Sequence, residues 1–136
     1  LMLQQLSVFI ENKIGSLNKV THAIFENGIN LHAISAFDSP DFCILRIVVD
    51  RPEEAKQILT EKGFAVKVSE VVAVELVDRP GELNHVLGLL ANEGLSINYI
   101  YSLVLRQDKA PLMVMNLNDN KKAFELLKKN NLTVVD

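Results

Sequence analysis

The stretches "NKIGSL" (Asn12–Leu17) and "DRPGEL" (Asp78–Leu83) decide the fold of this chain. Each follows a run of alternating apolar residues, carries glycine at its fourth position and leucine at its sixth, and leads into a helical pattern. A glycine between a strand pattern and a helix pattern predicts a tight turn. The same turn is therefore predicted twice, 66 residues apart.

The similarity between the two halves extends beyond the turns. Past the first helix and second strand the offset becomes 68, so that Ala55 matches Ala123 and two extra residues fall near "RQDKA" (residues 106–110). The chain is thus an internal duplication, and we predict domains at residues 1–69 and 70–136. The identical pairs at an offset of 66 are Gly15/Gly81, Leu17/Leu83, Asn18/Asn84, Val20/Val86, Gly28/Gly94 and Ile34/Ile100.

The first part of each copy predicts a strand, a helix and two further strands. Leu6, Val8 and Ile10 alternate with other residues, which indicates a strand. Apolar residues at helical spacing follow the turn, and Gly28 or Gly94 stands where a left-handed residue would end the helix. Two strands joined by a polar loop come next: "NLHAISAF" with "CILRIVV" in the first copy, and "SINYIYSLVL" with "LMVMNL" in the second.

The last part of each copy predicts a second helix and a closing strand. Asp50, then Pro52 and two glutamates, are the residue types of a helix cap, an early proline and first-turn acids. Gly63 is placed to end this helix, and "FAVKV" follows as the closing strand. The second copy repeats the pattern over residues 118–131 and closes with "LTVV".

This order predicts an α+β fold of two ferredoxin-like βαββαβ units. With right-handed crossovers, each unit forms an antiparallel sheet with both helices on one face. Leu31 and Ile34 are spaced by three, as are Ile97 and Ile100, which would put each pair on opposite faces of a regular strand. We therefore predict a β-bulge in both copies. Because units of about 65 residues bury little apolar surface, we expect the copies to join their sheets edge to edge or to pack face to face, and the chain to form a homodimer.

Composition narrows the classes of function. The net charge is -3, so no basic surface favours nucleic acid or anionic membranes, and the longest apolar run is too short to span a bilayer. A lone cysteine, Cys43, cannot form an intramolecular disulfide, which favours a cytoplasmic location. His22, His32 and His85 lack metal-ligand spacing. We expect no metal site, no cofactor and no catalytic residues.

The strand, the glycine turn and a helix ending in "NGINL" or "EGLSI" together resemble the ACT domain, the small amino-acid-sensing module of biosynthetic enzymes. The resemblance covers nearly the whole chain in two copies. It implies a free-standing tandem ACT protein that is regulatory rather than enzymatic. The implied partners are a free amino acid, a second copy of the chain and an enzyme of amino-acid metabolism.

The resemblance also implies where a ligand would bind, since ACT effectors lie at interfaces between domains. A turn glycine lets a carboxylate approach the unpaired amides of the first helical turn. Asn12 or Asp78 could accept from the ammonium group, and Asn30 could contact a ligand held by a neighbouring domain. Copy one has asparagine at both family positions, so we expect the two sites to differ. The candidate ligand-binding residues are Asn12, Lys13, Ile14, Gly15, Ser16, Leu17, Asn30, Asp78, Arg79, Pro80, Gly81, Glu82, Leu83 and Ser96.

A purely structural interpretation of the turns stays open. Gly15 and Gly81 would then only form tight turns, and Asn12 and Asp78 would only cap the helices.

Other functions also stay open. Single-stranded RNA binding would need a basic, aromatic sheet face, but the chain is acidic and has two tyrosines, six phenylalanines and no tryptophan. An enzyme would need an acid and base pair, and no such spacing recurs. The main alternative is an oligomerisation or regulatory subunit of an amino-acid-metabolising enzyme with degenerate effector sites.

Overall fold

The computed structural model describes residues 2–103 and 110–136. The chain folds into two compact units. The first unit is Gln4–Ser69, and the second is Glu70–Asp136 together with Met2 and Leu3. Met2 packs against the hydrophobic core of the second unit.

The first unit contains three strands, two helices and the beginning of a fourth strand. The elements are β1 (Leu3–Glu11), α1 (Ser16–Glu26), β2 (Leu31–Asp38), β3 (Phe42–Val49), α2 (Pro52–Glu61) and β4 (Ala65–Glu75). The strands follow the order β2-β3-β1-β4, and β3 pairs antiparallel with both β2 and β1. Strand β4 does not end with this unit but runs on into the second.

The second unit repeats this arrangement in the order β4-β6-β5. The predicted closing strand "LTVV" is reduced to one bridge, Val74 to Val134. The described residues therefore hold six strands rather than eight, because two merge into β4 and the last is shortened. Val104 and Leu105 of the predicted strand, and the predicted insertion at residues 106–109, lie outside the described residues. The remaining elements are α3 (Glu82–Asn92), β5 (Ile97–Leu103), β6 (Leu112–Leu117) and α4 (Asn120–Lys129).

Each unit has its own core between its helices and one face of its strands. In the first unit, Val20 of α1 and Leu59 of α2 pack with Leu6 and Val8 of β1 and Ile47 of β3, all fully buried. In the second, the core likewise joins buried residues of α3 and α4 to those of β4 and β6. The predicted ferredoxin-like arrangement, with helices on one face, is confirmed.

The irregularities predicted from residue spacing are also present. The pairing of β2 with β3 shifts register between Leu31 and Ala33, and that of β5 with β6 shifts between Ile97 and Tyr99. Both predicted bulges are confirmed. Gly28 and Gly94, just past the ends of α1 and α3, have φ of 67° and 73°, as expected of left-handed helix ends.

The predicted helix cap at Asp50 is wrong. Helix α2 has Arg51 at its N-cap position and no side-chain cap hydrogen bond. Asp50 Oδ1 instead accepts from the amide of Asn30 at 3.0 Å, and the Asp50 amide donates to the Asn30 carbonyl at 3.2 Å. Asp has the residue type of a cap, but it precedes the true cap position by one residue and joins the start of β2 to the end of β3.

No helix in the described part of the chain is long and apolar enough to cross a membrane.

Candidate functional site

The two β-to-α turns have the same backbone geometry. Gly15 has φ 85° and ψ -8°, and Gly81 has φ 86° and ψ -6°. In the first turn the amide of Ser16 donates to the Lys13 carbonyl at 3.2 Å, and the amide of Glu82 donates to the Arg79 carbonyl at 3.4 Å in the second. The duplication therefore preserves the turn as a three-dimensional unit.

The left-handed backbone explains why each turn needs glycine. Side chains of L-residues are strained at such φ values. A Cβ built on Gly15 or Gly81 meets no heavy atom within 4 Å. Glycine is thus required by the backbone conformation and not by a clash with neighbouring atoms, and the space beside each glycine is open.

The capping interpretation of Asn12 and Asp78 is wrong, because neither α1 nor α3 has a side-chain cap hydrogen bond. Asn12 Nδ2 instead donates to Asp38 Oδ1 at 2.6 Å and to the Ser39 carbonyl at 3.4 Å. Asn12 therefore joins its turn to the loop between β2 and β3. Both Asn12 and Asp78 are exposed.

The helix starts leave amide donors open. The hydrogen-bond ladder of α1 begins with the amide of Lys19, which donates to the Gly15 carbonyl at 3.1 Å. Within residues 2–103 and 110–136, the amides of Leu17 and Asn18 have no acceptor. Such amides, at the positive end of a helix, can bind a carboxylate.

The second family position lies at the other end of the sheet. Asn12 follows β1, whose end pairs with Phe42, whereas Asn30 precedes β2, whose start pairs with Val49. Seven residues of β3 separate these ends, about 23 Å at the rise of an extended strand. Asn12 and Asn30 therefore do not come together within the first unit.

The backbone of this second position is held in the same way in both units. The Asn30 amide is bound by Asp50, and the Ser96 amide donates to Asn118 Oδ1 at 3.0 Å. The Asn118 amide returns a bond to the Ser96 carbonyl at 3.1 Å. The side chains of Asn30 and Ser96 are left at the exposed surface.

The family model of the ACT domain pair matches residues 1–136. The chain belongs to the ACT domain pair family. No curated protein sequence matches the chain. Among solved structures, a Bacteroides thetaiotaomicron protein is 35% identical with a TM-score of 0.89, over 98% of this chain and 91% of its own.

Two other solved structures share the fold of this ACT pair. The regulatory subunit of aspartate kinase from Thermus thermophilus, in its ligand-free form, is 18% identical with a TM-score of 0.65, over 95% of this chain and 93% of its own. Aspartate kinase from Synechocystis is 16% identical with a TM-score of 0.59, over 93% of this chain but 25% of its own. The same fold thus occurs both in a regulatory subunit and as part of a longer chain.

The turns of the ACT pair differ in their side chains. In the first turn Lys13 pairs with the exposed Glu11 at 3.1 Å, and Ile14 is fully exposed. In the second turn Arg79 Nε lies 2.9 Å from Oε2 of Glu82, which is only 9% exposed. Pro80 takes the place of Ile14. Leu17 and Leu83 are both partly exposed, at 42% and 38%.

A cavity of about 280 Å³ opens beside the first turn. Lys13 and Ser16 of the predicted site line it, together with Lys19, Lys62 and Phe64, which the sequence analysis did not single out. The signal for Lys19 was present, because Ser16 and Lys19 are three residues apart in α1 and lie on one side of that helix. Lys62 and Phe64 come from the turn between α2 and β4, and only the fold brings them here.

No group of three or more metal-ligating side chains occurs within the described ranges. The exposed His22 lies 3.5 Å from Glu26 one helical turn away.

Proposed function

We propose that this ACT pair is a non-catalytic regulatory or sensor protein that binds a free amino acid at the first turn. The observation that carries the proposal is the pair of open amides at Leu17 and Asn18, beside a glycine with free space around it. Two adjacent amide donors at a helix start suit a carboxylate.

The ammonium group of the amino acid would be held by oxygen acceptors at the same turn. Asn12 Nδ2 is engaged by Asp38, which fixes the amide and leaves Asn12 Oδ1 as an acceptor. The carboxylate of Asp38 adds negative charge close by. Exposed Ile14 and Leu17 supply apolar surface for a side chain.

Asn30 belongs to the proposal in a different way. Because it lies at the opposite end of the sheet from Asn12, it would contact a ligand held at the turn of another domain. This is the arrangement that the family resemblance implies.

A homodimer and a regulated enzyme of amino-acid metabolism complete the proposal. Large apolar side chains are exposed in the first unit, among them Phe25 at 77% and Phe37 at 58%. Such surface favours association.

The second candidate function, a regulatory subunit with degenerate effector sites, is suggested by the aspartate kinase regulatory subunit that shares the fold. The lone cysteine favours a cytoplasmic location.

A thermal-shift screen of the full chain against the twenty L-amino acids tests the proposal. A ligand at 100 times its dissociation constant stabilises the folded protein by about 2.7 kcal/mol. Asn12→Ala should weaken binding at least tenfold, whereas Asp78→Ala, at the same position of the second turn, should leave it unchanged.

The melting temperature of each variant without ligand separates binding from folding. Asn12→Ala removes an exposed hydrogen bond and should cost about 1 kcal/mol or less. If no amino acid shifts the melting temperature of the wild type, the sensor function is wrong and the subunit with degenerate sites is favoured. Equal loss from Asp78→Ala alone would move the site to the second unit.

A further inference from the structure

The cavity beside the first turn has an excess of positive charge. We call it the lysine cavity; the charged residues that line it are Glu11, Lys13, Lys19 and Lys62. Glu11 pairs with Lys13, and Lys62 lies 3.2 Å from Glu26, which is not part of the lining. Among the described residues, Lys19 pairs with no carboxylate. Lys13 and Lys62 are thus each paired with one carboxylate, and Lys19 supplies the unpaired positive charge beside the cavity.

The side chain of Ser16 lines the same space. The residue is 6% exposed, and its amide donates to the Lys13 carbonyl. No described residue forms a hydrogen bond with its hydroxyl group. The hydroxyl oxygen is not one of the fully buried polar atoms without a partner, so water or a ligand in the cavity can bond with it.

The second unit shows what can occupy this position. Glu82 replaces Ser16, is buried to the same degree, and its carboxylate pairs with Arg79, the counterpart of Lys13. Lys19 is replaced by His85 and Lys62 by Asn130. The second unit therefore carries its own carboxylate where the first has a small hydroxyl, and it has fewer cationic groups around it.

We infer that the lysine cavity binds a small organic anion, an acidic amino acid rather than a neutral one, with a carboxylate at the place that Glu82 fills in the second unit. The inference rests on the proposed function, since Lys13 and Ser16 belong to the same turn, and it names the ligand class. The ligand's side-chain carboxylate lies among Lys13, Lys19 and Lys62. Phe64 supplies an apolar wall.

Isothermal titration of the full chain with L-aspartate, L-glutamate and succinate, against L-asparagine and L-glutamine at matched ionic strength, tests the inference. The acids should bind at least tenfold more tightly than the amides. Lys19→Met should weaken binding of the acids at least tenfold. Lys56→Met removes the same charge from an exposed site of the same unit, and His85→Met changes the matching position of the second unit; both should leave binding unchanged.

Ser16→Glu places the residue of the second unit in the first and should abolish binding of the acids. Ser16→Ala keeps the cavity open but removes the hydroxyl group, so it should weaken binding of the acids less than Lys19→Met does. Amides that bind as tightly as the acids, or a Lys19→Met variant with unchanged affinity for the acids, would overturn the inference while the proposed function stands. If succinate or inorganic phosphate binds but no amino acid does, the lysine cavity is an anion site and the sensor function is wrong. No binding by any of these probes would overturn the inference, and the thermal-shift screen against the twenty amino acids would then decide the proposed function separately.

Discussion

Gly15→Ala and Gly81→Ala should destabilise the protein by about 1 to 2 kcal/mol each, the cost of a left-handed backbone for an L-residue. The cost is conformational only, because a Cβ at either position meets no heavy atom within 4 Å. Urea denaturation measures the loss as a lower midpoint at constant slope. For a chain of this size it corresponds to a melting temperature lower by about 3 to 8 °C.

Gly88→Ala is the matched control. Gly88 lies within α3, is exposed, and also meets nothing within 4 Å, but it lacks a positive φ. Alanine there should stabilise the protein by up to about 1 kcal/mol. Unchanged midpoints for both turn variants, or a loss of stability at Gly88 as large as at Gly15, would show that the left-handed backbone does not require glycine. If Gly15 also admits a ligand carboxylate, its alanine variant should lose more than tenfold in affinity, about 1.4 kcal/mol.

Two further predictions concern side-chain hydrogen bonds, one matched between the two units and one at the start of α4. Asp50→Ala and Asn118→Ala should each lower the free energy of unfolding by about 0.5 to 1.5 kcal/mol and speed hydrogen exchange at the amides of Asn30 and Ser96, respectively. Asp50→Asn keeps an acceptor and should keep most of the stability. Unchanged exchange at Asn30 in the Asp50→Ala variant would contradict this prediction. Asp119 accepts from the Lys122 amide at 3.0 Å at the start of α4. Asp119→Ala should therefore cost about 1 kcal/mol in urea denaturation and Asp119→Ser much less, and equal losses would argue against the cap.

The fold could be predicted from the sequence because the duplication supplies two independent copies of each pattern. The glycine turn, the helical periodicity and the three-residue spacing of apolar residues in the second strand each occur in both copies. A pattern that arose by chance in one copy would not recur at the matching positions of the other. The bulges could be predicted from that spacing alone. Residues three apart lie on opposite faces of a regular strand, so Leu31 and Ile34 can share a face only if the strand contains one extra residue.

The side-chain contacts of the site could not be predicted in the same way. Asn12 and Asp50 have residue types that cap helices; local pattern assigned Asp50 to a cap and left that role open for Asn12. Their partners, Asp38 and Asn30, are 26 and 20 residues away and become neighbours only when the strands pair. Lys62 likewise reaches the first turn only because α1 packs beside the end of α2.

The duplicated turn separates what the backbone requires from what the side chains decide. Gly15 and Gly81 hold the same φ, and the same amides begin each helix, although Ser16 and Glu82 differ in size and charge. The frame therefore tolerates substitution at the first helical residue, which is a serine beside the lysine cavity in the first unit and a glutamate paired with Arg79 in the second. Removing Glu82 alone would not recreate the lysine cavity, because His85 and Asn130 replace two of its cations. The specificity that we infer for the first unit thus rests on side chains that three separate segments supply, whereas the turn depends on one glycine.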